Sequence, residues 1–253
     1  MEIDSKPCVD ITMNVDLLRH IISSLSKLTQ DVNFCFHPSG LFIQTMDSSH
    51  VSLCKIELPE SDFQEFSCTR SIHIGLNVAV VDKVVSSQSK MTSCTMICSD
   101  DSDSCTLKFV GETHQCVYEI PLMTIDSEDP EIPSDTTYDA EALLKSTLFA
   151  KQIKDCSVIG DRVTISMAEP SLVMKTEGDL GTFHVESTGE SCIVQGEHKG
   201  FSYSVKFLSL FTAATPMSGH VRLSLSNEMP LCVSYVCGKG GRIDFYLAPW
   251  CED

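Results

Sequence analysis

Most of this sequence consists of short runs in which apolar and polar residues alternate, and only four stretches break that rhythm with helical spacing. Alternation over four to eight residues marks strands with one buried face. The runs include NFCF, LFIQTM, SLCKIEL, CTMIC, CTLKFV and CVYEIPL, then RVTISM, LVMKT, TFHVES, VRLSLS, LCVSYV and RIDFYL. Turn chemistry joins several of them, as in His37-Pro38-Ser39-Gly40, Asp100 to Ser104 and Gly238 to Gly241. Many strands and few helices predict an antiparallel α+β protein rather than a chain of βαβ units.

The helical stretches are 15–28, 77–88, 146–160 and 202–216. The first aligns Leu17, Leu18, Ile21, Ile22, Leu25 and Leu28. The second places Val80, Val81, Val84 and Val85 on one stripe behind a capping Asn77. The third turns Leu148, Phe149, Ile153 and Cys156 inward and stops at Gly160. The fourth turns Val205, Leu208, Leu210 and Phe211 inward and ends at Pro216. Helix, strands, helix, strands then repeats. LFIQTMD (41–47) falls on LVMKTEG (172–178) at an offset of 131, and 72–81 falls on 201–210 at an offset of 129. Two similar halves are expected, 1–121 and 140–253. The connector 122–139 holds five acids within 126–135, with Pro130 and Pro133 but no glycine, which suits an extended strap. Ile125 and Ile132 are its exposed apolar residues, fit to wall a docking groove.

The net charge of −17 argues against phosphate contact if spread evenly. It is not spread evenly. Residues 15–28 and 77–90 each carry +1, and 145–158 and 199–214 each carry +2, so the remainder must hold −23. Four helices sharing a face would give an acidic body one weakly basic surface, to which DNA is steered.

Other classes find little support. No apolar run is long enough to span a membrane, and the acidic start MEIDSKPCVDITM does not read as a secretory signal, so a nuclear or cytosolic protein is expected. Thirteen cysteines are an odd count, and Cys35, Cys54, Cys192 and Cys232 sit in strand-like runs as small buried hydrophobes. No metal-ligand spacing or cofactor motif occurs, so neither is expected. The octet MDSSHVSL (46–53) gathers the residue types of a hydrolase triad. Asp47, Ser49 and His50 within four consecutive positions cannot easily converge as nucleophile, base and acid, so a non-catalytic protein is favoured over a hydrolase. Asp47 and Ser48 suit a turn, with His50 beside Met46 and Val51 in a recognition pocket.

LFIQTMDSSHVSL, IGLNV (74–78), FLSLFTAATPMSGHVRLSLSNEMPLCVSYV (207–236) and FYLAPW (245–250) together resemble the eukaryotic proliferating cell nuclear antigen family of DNA sliding clamps. The resemblance implies a clamp fold in which each domain has antiparallel sheets outside and two helices inside. It implies a homotrimeric ring, in the nucleus, that encircles double-stranded DNA without reading its sequence and acts as a processivity factor in replication and repair. DNA polymerase and other proteins bearing short clamp-binding peptides, and a clamp loader, would be its partners. Arg19, His20, Lys27, Lys83, Lys151, Lys154 and Lys206 would face DNA. Met46, His50, Val51, Leu53, Ile125, Ile132, Pro230, Ala248, Pro249 and Trp250 would form the peptide groove. Strands 113–121 and 180–188 would join subunits through Cys116, Tyr118, Ile120, Phe183 and Val185. The sequence departs from the family at Ser86, Val158 and Ala213, where basic residues are frequent, and at Glu169, where a modifiable lysine is usual. Pro130 and Trp250 with Cys251 depart in the connector and tail. A subunit of a heteromeric, checkpoint-type clamp is the other reading of the same resemblance.

Overall fold

The computed structural model describes residues 7–99, 102–126 and 137–250. They fall into two compact units. The first takes 7–45, the described part of 55–126, and Cys237–Arg242; the second takes Met46–Cys54, 137–236 and 243–250.

In the first unit β1 (Val9–Asn14) runs directly into α1 (Val15–Leu25). Then come β2 (Asp31–His37), β3 (Gly40–Met46), β4 (Ser52–Pro59), β5 (Glu65–Cys68), β6 (Ile72–Asn77), α2 (Val78–Ser86), β7 (Met91–Cys98), β8 (Ser104–Gly111) and β9 (Gln115–Pro121). One sheet has the order β5-β1-β7-β8-β9, while β2 pairs with β3 and β6, and β4 lies beside β3. The second unit opens with β10 (Ala140–Lys145) running into α3 (Ser146–Ile159). It continues through β11 (Arg162–Ala168), β12 (Ser171–Gly178), β13 (Gly181–Ser187), β14 (Cys192–Ser204), α4 (Val205–Phe211), β15 (His220–Leu225), β16 (Leu231–Cys237) and β17 (Gly241–Leu247). Its strands follow the order β13-β12-β11-β14-β10-β15-β16-β17.

The pairing repeats between units. β1 lies between β5 and β7 as β10 lies between β14 and β15, and β2 joins β3 to β6 as β11 joins β12 to β14. One long strand of the second unit, β14, therefore does the work of β5 and β6 together. It pairs with β10 up to Gly196 and with β11 from Glu197 onward. Gly196 at the changeover has φ +80°, and a Cβ there would sit 2.2 Å from the Asp139 carbonyl oxygen, so both conformation and space require glycine.

Each of α1 to α4 begins at the residue after a strand. Asn14 and Asn77 cap α1 and α2, Asn14 accepting from the Asp16 amide at 2.7 Å and Asn77 from the Val80 amide at 2.9 Å. The helices α3 and α4 begin without such a side chain. The expected ends shift modestly. α1 closes at Leu25, although Leu28 stays buried in the following turn. α4 is short, because residues 202–204 belong to β14 and Thr212–Met217, carrying Pro216, tighten into a 3-10 helix. The helix starts also correct the second repeat offset: Val78 corresponds to Val205, an offset of 127 rather than 129. On α2 the buried residues are Val78, Val81 and Val85, while Val80 is 43% exposed, since at 100° per residue it lies one step off that stripe. Among the described residues no helix is long and apolar enough to cross a membrane.

Within the second unit Phe211 stacks on Phe245 with centroids 4.6 Å apart, and Tyr235 meets Phe245 edge-on at 6.2 Å. Phe245→Ala should therefore cost about 3–5 kcal/mol in urea unfolding. Leu143→Ala on the exposed face of β10 should cost less than about 1 kcal/mol. Equal losses would contradict this placement of the core.

Candidate nucleic-acid surface and docking loop

The helices of each unit place the expected basic residues outside its core. Lys27, Lys83, Lys151, Lys154 and Lys206 are exposed, and Arg19 and His20 are half-buried. In the first unit α1 lies against α2, and in the second α3 lies against α4. Some of this charge is already engaged. Arg19 donates through Nη1 to Asp16 and through Nη2 to the Gln88 carbonyl at 2.9 Å. Lys151 pairs with Asp155 at 2.6 Å, and Lys206 lies 5.8 Å from the centre of the Phe207 ring. Such exposed pairs are weak and easily exchanged for another anion. Val158 is 63% exposed on α3, an apolar residue among these cations.

The octet forms a tight loop leading into β4, organised by one carboxylate. Asp47 is buried, and its Oδ2 accepts the Ser49 amide at 2.8 Å and the Ser49 hydroxyl. Its Oδ1 accepts the Val51 amide at 2.9 Å, the Ser52 amide at 2.5 Å and the Ser52 hydroxyl at 3.1 Å. Backbone bonds close the ends: the Asp47 amide donates to Ser52 at 3.0 Å, and the His50 amide to Asp47 at 3.0 Å. Burial pushes the Asp47 carboxyl up, but the hydrogen bonds from Ser49 and Ser52 outweigh it and hold the group below its ordinary 3.8. Ser49 thus gives its hydroxyl proton to Asp47, while His50 sits outside this set with φ +54°. That is the geometry of a pinned turn. It is not a nucleophile activated by an imidazole.

The pinned loop meets the tail. The Ala248 amide donates to the Val51 carbonyl at 3.1 Å, and the Trp250 amide to the Ser202 carbonyl on β14 at 2.7 Å. The Arg162 guanidinium lies over the Trp250 indole, 5.3 Å from its centre. Met46, Val51, Pro230 and Pro249 are partly exposed and His50, Ala248 and Trp250 exposed, whereas Leu53 is buried at 6%. In the first unit, the connector's start adds an isolated bridge to β6: the Met123 amide donates to Gly75 at 2.9 Å, and Asn33 Nδ2 to the Ile125 carbonyl at 3.0 Å. Ile132 and Pro130 lie outside the described residues.

Both expected contact strands are sheet edges: β9 ends one sheet order and β13 another. On β9, Cys116 and Tyr118 turn toward their own unit. Cys116 Sγ donates to Gln88 Oε1 at 3.3 Å, Gln88 Nε2 lies 3.0 Å from the Tyr118 hydroxyl, and Ile120 is buried at 5%. Val117, on the other face, is 55% exposed. On β13, Phe183 and Val185 are half-buried. Sequence reasoning overlooked Gln88, which links α1, α2 and β9, and Arg162, which backs Trp250. A glutamine after a helix and an arginine opening a strand carry no local signal for those roles.

The model of the proliferating cell nuclear antigen N-terminal domain matches residues 12–131, and that of the C-terminal domain matches residues 131–250. The crystal structure of proliferating cellular nuclear antigen from Entamoeba histolytica superposes with a TM-score of 0.90 at 26% identity, covering 97% of this chain and 100% of that one.

Asp47→Ala would leave the Val51 and Ser52 amides without their acceptor and should cost about 1–3 kcal/mol at neutral pH. Because the folded carboxyl titrates below 3.8, its contribution is complete above that pH and is lost as pH falls through the lower folded value. Urea melts of the two proteins should converge in acid; a gap independent of pH would remove the carboxylate from its organising role.

Proposed function

The chain belongs to the proliferating cell nuclear antigen family, and from that premise we propose that it is a homotrimeric sliding clamp of the nucleus. In this reading three copies close into a ring around duplex DNA and carry polymerases and repair proteins along it. The observation that carries the reading is that the two domain matches together run from residue 12 to residue 250. The clamp fold itself is established by those matches and the Entamoeba superposition.

The proposed mechanism rests on weak forces. The helix lysines attract phosphates without addressing base edges, so the ring holds DNA loosely enough to move. The acidic remainder of the chain repels DNA elsewhere. Ring closure joins β9 of one copy to β13 of the next, which satisfies two otherwise unpaired strand ladders. The loop pinned by Asp47, with the tail bonded to Val51, offers a pre-formed surface to short peptides that bring apolar anchors. No residue is assigned a catalytic role, in keeping with a family of scaffolds. A heteromeric clamp would use the same edges against unlike chains.

Native mass spectrometry of the purified chain at micromolar concentration should show three copies of 27.8 kDa. A monomer would overturn the homotrimer and favour the heteromeric reading. Lys151→Ala combined with Lys206→Ala, which removes six lysines from a ring of three, should lower the log–log salt slope of DNA association by up to about 5. An unchanged slope would mean that these helices do not meet phosphate.

A further inference from the structure

Nine of the twelve described cysteines are buried, and three are half-exposed: Cys35, Cys68 and Cys116. The last two donate to oxygen acceptors within their own unit. Cys68 donates to the Arg70 carbonyl at 3.0 Å, and burial pushes its thiol up; Cys116 donates to the Gln88 amide oxygen. Cys35 differs. Its Sγ lies 3.6 Å from Nδ1 of His73, with the Asn33 carbonyl more distant at 4.0 Å. The pair is fixed by register: Cys35 opposes His73 on β6 and Phe42 on β3, so the three side chains form a row across the sheet. That row lines an open groove of about 290 Å³ together with Gln44 and Lys55. Lys55 pairs with Glu57 at 2.8 Å and keeps an ammonium beside the groove, while Phe42, 38% exposed, gives it an apolar wall.

We propose that Cys35 is a thiolation site that takes small-molecule disulfides of the glutathione class. A thiol beside an imidazole, on an open surface with a cation near, is set up to react as thiolate. Cys35 passes its proton to His73, and the thiolate attacks one sulfur of the incoming disulfide. The incoming S–S bond breaks, the Cys35–S–S bond forms, and the released thiolate takes the proton back from His73. Cys35 is oxidised and half of the disulfide is reduced, so no other reactant is needed. The groove accepts the retained half, Phe42 covering its methylenes and Lys55 meeting a carboxylate. This inference does not depend on the ring: it concerns the sheet formed by β2, β3, β4 and β6 of the first unit.

The fully reduced chain is incubated with oxidised glutathione near pH 7, and adducts are located by intact mass and peptide mapping. Cys35 should be modified first, about tenfold faster than Cys68 or Cys116. Cys35→Ser should lose that adduct. His73→Gln, its fold checked by circular dichroism, should slow the reaction about tenfold near pH 7, with the rate recovering near pH 9 as the thiol ionises unaided. Equal rates at the three cysteines, or a His73→Gln variant as fast as the parent, would overturn the proposal.

Discussion

A strand that turns into a helix with no loop between them must hand its buried face to the helix in register. That constraint sets the architecture of both units. In β1 the inward residues are Val9, Ile11 and Met13, and the line continues through Val15, Leu18, Ile22 and Leu25 as the period changes from two to between three and four. The second unit repeats it 131 residues later with Ala140, Ala142, Leu144, Ser146, Phe149, Ile153 and Cys156. One continuous buried line per unit therefore fixes which helix face is covered and, by elimination, which face carries Lys151 and Lys154. The cationic residues are outside because the seam leaves them nowhere else to go.

What the sheets leave over is as informative as what they bury. The sheet orders end on β9 and β13, and β9 is braced from within by Gln88, Tyr118 and Phe109. Open edges invite pairing with another chain. An edge pre-shaped by interior hydrogen bonds loses less freedom on docking than a loose one. The octet follows the same logic at smaller scale: five donors converge on Asp47, so the loop's outward surface is set before anything binds to it.

The sequence was readable where one periodicity dominates. α1 and α3 combine clear apolar spacing with a strand immediately before them, and their positions were legible within a few residues. The start of α4 was obscured because SYSV can serve as strand or helix, and the ladder to β11 decides for the strand. Asn77 was legible as a cap because its chemistry is local. Gln88, Arg162 and the Cys35–His73 pair were not, since each acquires its partner only when distant strands come into register. Cys35 looked like another buried strand cysteine, and only its outward position in β2 separates it from Cys54 or Cys192.

The two units are not consecutive along the chain. Lys239 and Gly240 donate their amides to Asp62, and Arg242 pairs with Glu57 at 3.0 Å, so the first unit receives some of its hydrogen bonds from residues near the far end. During synthesis these partners emerge 177 residues or more after the groups they bind. Asp62 must wait, solvated, until then, so the polypeptide is fastened rather like a belt whose buckle is made before its tongue.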